Sequence, residues 1–137
     1  MKNSRVGLGE GIRQCLSNQL PEFNEGFFGT VQLVTAGNDS EGLRYGTIGT
    51  PEKYFLAWKE DEADNTGHKL DKYLAKLCGK ARLLELVHDF VLFDGGVKKL
   101  PRVHQYFSIK GAQAHVRQPN QKQGGIIWHT QGAARAS

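Results

Sequence analysis

The chain has 137 residues, with 18 Lys and Arg against 14 Asp and Glu and a formal net charge of +4. That length suits one domain with a real core and excludes a motor of two lobes, while the interspersed charges make the positive balance weak evidence for nucleic acid. No apolar run approaches the roughly 20 residues that cross a bilayer, no export signal opens the chain, and Cys15 and Cys78 lack metal-ligand spacing, so the expectation is a cytoplasmic protein with two reduced thiols, no disulfide, no zinc and no membrane contact.

Residues 10–20 read as a short helix broken by Pro21, with sparse apolar positions. Arg13 and Gln14 lie on it: Arg13 is either plain polar surface or a contact to a phosphate, and Gln14 by itself reads as polar surface. Residues 27–38 and 42–48 read as two strands joined by a short connection, because β-branched residues alternate and a Gly-Asn-Asp-Ser turn follows. Val31, Leu33 and Ala36 are expected to face a core, with Gln32 and Thr35 on the opposite side. Arg44 is a phosphate contact or a solubilising edge charge.

Residues 50–60 alternate Tyr54, Leu56 and Trp58 with Phe55 and Ala57, as in a strand or arm packed on both faces. The same aromatics admit a base-stacking reading, but core packing is the stronger one. The acidic run 60–67 reads as an exposed loop without the spacing of a calcium site.

The period then changes to that of a helix. Leu70, Tyr73, Leu74 and Leu77 form one apolar stripe and Leu83, Leu86, Val87 and Phe90 a second, with Gly79 between them and Gly95-Gly96 ending the second helix. His88 beside that stripe is expected to be a packed or surface histidine, since no second histidine stands at ligand spacing. A third helix is expected from residue 97 to about 118, with Lys98, Lys99 and Arg102 clustered at its start and Pro101 in its first turn. A polar linker over 119–124 leads to Ile126, Ile127 and Trp128, a short buried strand feeding the turn Thr130-Gln131-Gly132. That pattern opens a phosphate-binding loop, which needs a closing glycine, a lysine for the phosphates and a hydroxyl for magnesium. Those three places hold Ala134, Arg135 and Ala136, so the stretch is either an interrupted loop or a tail of small residues.

The run Ile126 to Gly132 resembles the first motor motif of the restriction (R) subunit of type I restriction-modification enzymes, which continues Ser-Gly-Lys-Ser-Leu. Deleting one G from codons for Gln-Gly-Ser-Gly-Lys-Ser-Leu yields Gln-Gly-Ala-Ala-Arg-Ala-Ser, as residues 131–137 read. The departure is therefore expected to be a frameshift or an interrupted frame. Further segments are similar to the family in order: Lys2 falls on the lysine of a Glu-x-Lys strand, and residues 33–39 with 42–46 match the segment that closes the nuclease sheet. Residues 89–93 resemble its Asp-Phe-Ile-Val-Phe, and His104-Gln105-Tyr106 its glutamine motif.

The resemblance implies an α/β fold: the C-terminal part of a PD-(D/E)xK restriction-nuclease sheet over residues 1–60, a helical linker over 61–123, and the first strand and broken phosphate loop of a RecA-like motor over 124–137. It implies Lys2 and Gln14 as relics of a catalytic site. Gln105 becomes an adenine reader, Thr130, Gln131 and Gly132 nucleotide contacts, and Arg13, Arg44, Lys98, Lys99 and Arg102 DNA contacts. The complete enzyme would use ATP and magnesium to translocate and cleave DNA together with modification and specificity subunits. No cofactor and no resident metal are expected for this chain alone, because the nuclease carboxylates and a working phosphate loop are missing. Two alternatives stand beside this: a DNA-binding or subunit-binding module without catalysis, and a non-functional remnant.

Overall fold

A computed structural model describes residues 7–60, 63, 67–118 and 124–127. It is a mixed α/β domain in which the described residues form five α-helices, a three-stranded antiparallel sheet and a two-stranded hairpin.

Helix α1, Leu8–Ser17, buries Leu8 and Ile12, one turn apart. It starts two residues earlier than the local sequence suggests, because the Leu8 N–H donates to Glu41 Oε1 at 3.0 Å across 33 positions of chain. That bond holds the Glu41 carboxyl below its ordinary range, with Asn38 adding a second bond. The helix ends at Ser17, ahead of Pro21 rather than at Leu20. Residues Glu25–Phe28, expected to lead into an extended run, form the short helix α2 instead, and Phe27 is exposed.

Strands β1, Val34–Asn38, and β2, Gly42–Gly46, make a hairpin in register Val34 to Gly46 and Asn38 to Gly42. Its turn is tied by the Asn38 side chain, whose Oδ1 accepts the Glu41 N–H at 2.6 Å and the Ser40 hydroxyl at 3.1 Å. Gly42 takes φ +83°, and a Cβ there would lie 3.1 Å from the Tyr73 ring. Pro51 opens a single 3-10 turn, Glu52–Tyr54, so the extended segment expected from residue 50 shortens to β3, Leu56–Trp58. Tyr54 is consequently half-exposed in that turn. Strand β3 pairs with β2 through Leu43 to Trp58 and Tyr45 to Leu56, giving the order β1-β2-β3.

Each face of the sheet is covered, which explains why aromatic and aliphatic residues alternate without a polar face. On one side Val34 and Phe55 meet Leu8 and Ile12 of α1, with Val31 and Ala36 packed against them. Leu33 turns to the other side, so the expectation that it shares a face with Val31 fails, and Val34 rather than its neighbours is the fully buried position. There Leu43, Tyr45 and Trp58 meet Tyr73, Leu77, Leu86, Phe90 and Tyr106. Trp58 and Leu77 are wholly buried.

The helical stripes supply that second layer. Helix α3, Lys69–Leu77, points Tyr73 and Leu77 inward. Helix α4, Lys80–Glu85, widens into a π turn over Leu86–Phe90. The wider turn changes the phase of the stripe, so Leu86 and Phe90 are buried while Val87, expected on the same face, is exposed. His88 is a surface residue, with Nδ1 at 2.5 Å from Asp89.

Gly95-Gly96 does not end a helix; with φ +56° and +80° it forms the turn between β4, Leu92–Asp94, and β5, Val97–Lys99. Both angles are those of the tight hairpin turn whose twist matches flanking strands. Residues 97–102 are therefore not helical: Lys98 and Lys99 lie in β5, and helix α5, Val103–Val116, begins after Arg102. Pro101 precedes the helix, and its carbonyl accepts the Tyr45 hydroxyl at 2.6 Å.

Candidate nucleic-acid interface

The Lys98, Lys99 and Arg102 side chains come together because β5 runs directly into the start of α5 beside the β2–β3 edge of the sheet. They line one small hollow of about 50 Å³ with Thr47, Thr50 and Tyr54. The two lysine ammonium groups are also anchored. Lys98 Nζ donates to the Val31 carbonyl at 3.2 Å and to Gln32 Oε1 at 2.9 Å, which pins the hairpin to the segment preceding β1. Lys99 Nζ lies 2.7 Å from Asp94 across the hairpin and holds that carboxyl below its ordinary range. The Arg102 backbone N–H donates to Gln105 Oε1 at 2.9 Å. Beneath them the Thr47 N–H donates to Thr50 Oγ1 at 3.0 Å, and the Thr47 hydroxyl to the Gln32 carbonyl at 3.2 Å. The hollow is thus framed by hydrogen bonds and lined by two lysines and an arginine.

Arg13 and Arg44 form a different environment. Arg13 Nη1 sits 3.0 Å and 3.2 Å from the two Glu52 oxygens. Arg44 Nη1 donates to the Phe55 carbonyl at 3.3 Å. The hollow beside Arg44 is lined by Glu41 and Glu52 as well as Lys53, so opposite charges cancel locally and the second cationic patch is electrically mixed. Gln14 is exposed on the outer face of α1.

Gln105 is half-buried, and its amide oxygen closes the first turn of α5. The bond from the Arg102 N–H occupies one of the two lone pairs of the amide oxygen. Lys2, Thr130, Gln131 and Gly132, together with the altered positions Ala134, Arg135 and Ala136, lie outside the described residues.

The sequence reading passed over Thr47, Thr50 and Phe107. The two threonines sit in a loop whose approach to β5 depends on long-range packing. Phe107 adjoins the buried Tyr106 and is itself 39% exposed. Among the described residues no group of three or more His, Cys, Asp or Glu is placed to hold a metal. No helix of the described residues is long and apolar enough to cross a membrane. Cys15 and Cys78 are free thiols. No protein-family model, curated protein or solved structure matches the chain.

Proposed function

We propose that the chain is a piece of the R subunit of a type I restriction-modification enzyme, running from the back of the nuclease sheet through a helical connector to the first motor strand. The observation that carries this reading is the order of the family-like segments: Lys2, residues 33–46, residues 89–93, His104-Gln105-Tyr106 and residues 126–132. An antiparallel hairpin over 34–46 packed on helices is compatible with the end of such a sheet. In the complete enzyme ATP and magnesium would drive translocation, and modification and specificity subunits would be its partners. The residues of this chain do not fit those cofactors. The places of the loop glycine, lysine and hydroxyl hold Ala134, Arg135 and Ala136. The chain alone is accordingly a connector without cleavage or ATP hydrolysis.

Reading the flanking DNA in all frames tests this. The frame upstream should encode the glutamate of Glu-x-Lys, and the shifted frame after Gln131 should encode Gly-Lys-Ser and a helicase. Unrelated sequence on both sides sinks the proposal, as does cleavage by the purified chain that Lys2→Ala abolishes.

A second reading is favoured by the convergence of Lys98, Lys99 and Arg102 on one hollow: the chain contacts nucleic-acid phosphates without reading sequence. Three such contacts give a slope of log affinity against log salt of about 2.7 in magnitude, from about 0.9 per phosphate. Titrating labelled DNA at two salt concentrations checks it. Salt-insensitive or sequence-selective binding would contradict a purely phosphate-directed contact.

A further inference from the structure

We infer that the cationic hollow is one end of a longer groove that takes a short single strand of nucleic acid, with Phe107 and Tyr54 stacking on its bases and Lys98, Lys99 and Arg102 holding its phosphates. This deepens the phosphate-contact reading and rests on it.

Next to the first hollow lies a second of about 510 Å³, bordered by Lys59, His104 and Phe107. The two share Leu56 and Arg102, so they lie side by side along the outer strand β3. The second hollow falls within the usual size of ligand clefts, about 300–1,000 Å³, whereas the first has room for little more than a phosphate group. Its apolar floor is made by Tyr45, Leu56 and Val103.

Charge separates this groove from the one beside Arg44. No acidic side chain lines either of its two parts among the described residues, while Lys98, Lys99, Arg102 and Lys59 all do. The Arg44 hollow contains Glu41 and Glu52. An anionic polymer is therefore favoured at the first site and not at the second. Lys98 uses two of its three ammonium donors on Val31 and Gln32, and the Asp94 partner of Lys99 is largely exposed and exchangeable.

The aromatic rings decide between single strand and duplex. Phe107 is 39% exposed, yet its ring is fixed by an edge-to-face contact with Tyr106 at 5.1 Å and by the Arg82 guanidinium at 5.4 Å. Tyr54 is 43% exposed at the other end of the groove, with Lys53 Nζ 4.8 Å from its ring centre. Rings held beside cations in an open groove stack on unpaired bases of any identity, and duplex bases are not available to them.

The test is fluorescence anisotropy on the full chain with a short labelled oligothymidylate and a duplex of equal length. Wild type is compared with Phe107→Ala, Phe107→Trp, Tyr54→Ala and Lys98→Ala/Lys99→Ala, and circular dichroism verifies that each variant is folded. The single strand should bind about tenfold more tightly than the duplex. Phe107→Ala should lose roughly fivefold or more of single-strand affinity and none for duplex, Tyr54→Ala should behave likewise, and Phe107→Trp should restore binding. Lys98→Ala/Lys99→Ala should weaken both and flatten the salt dependence. Equal or tighter duplex binding, insensitive to both aromatic changes, overturns the single-strand inference and leaves the phosphate reading standing. Binding to neither probe at low salt overturns both. Displacement by polyglutamate as effective as by oligothymidylate also overturns it, because an acidic polymer would then suffice.

Discussion

Tyr45 carries its phenol into the larger core and donates to the Pro101 carbonyl at 2.6 Å, tying the sheet to the start of α5. Burial pushes its ionisation well above the ordinary tyrosine range. Tyr45→Phe keeps the packing but strands a buried acceptor, and should cost about 1–3 kcal/mol in denaturant unfolding. At the surface, His68 Nδ1 lies 2.9 Å from Asp39 Oδ2. That bond raises the His68 pKa above 6.5 and lowers that of Asp39 below 3.8. Protonated His68 is favoured in the folded state, so its contribution is complete below the unfolded histidine pKa and disappears as pH rises through the raised folded value. The Asp39 contribution is present above the unfolded carboxylate pKa and fades as pH falls through the depressed one. Following the His68 ring protons by NMR should give a midpoint above 6.5 that drops in Asp39→Asn; an unchanged midpoint would remove the pair from the account. Neither pair was legible in the sequence, because Asp39 and His68 stand 29 positions apart and only the docking of α3 against the β1–β2 hairpin brings them together.

At the scale of elements, α3 was legible because Tyr73 and Leu77 repeat with local helical period and the same period governs burial. Helix α1 was legible in existence but not in its start, since the group that receives its first N–H is Glu41 of a distant turn. Glu41→Ala should therefore speed amide exchange at Leu8 and lower the melting temperature; unchanged exchange at Leu8 would mean that Glu41 does not hold the helix start. The β4–β5 hairpin was misread as helix end and helix start. Asp94-Gly95-Gly96 between Phe93 and Val97 carries a hairpin signal in its own right, but the preceding helical stripe made a terminator look sufficient. Gly95→Asn should be accepted, since Asn tolerates the φ of +56°. Gly96→Val should cost about 1–2 kcal/mol, because a β-branched side chain meets the backbone at positive φ. Thermal melts of the two variants distinguish this turn from an ordinary loop, in which neither change would matter.

The described residues are organised around a sheet with a core on each face, and Trp58 is fully buried in the larger core. Its ring packs against Tyr45 at 5.6 Å and Tyr106 at 6.2 Å, and its Nε1 donates to Glu60, which also pairs with Arg82. Trp58→Ala should cost about 3–5 kcal/mol, set against the roughly 5–15 kcal/mol that holds a domain of ordinary stability. Loss of cooperative melting, or a melt displaced by many degrees, is expected; a shift of a degree or two would mean that the two cores are energetically separate. The Tyr45–Pro101 bond has a mechanical corollary as well. It joins points 56 positions apart, so tension applied across the domain would load this clasp together with the β2–β3 pairing and the larger core. Once these give way together, the segment between residues 45 and 101 would add roughly 180–200 Å of contour length.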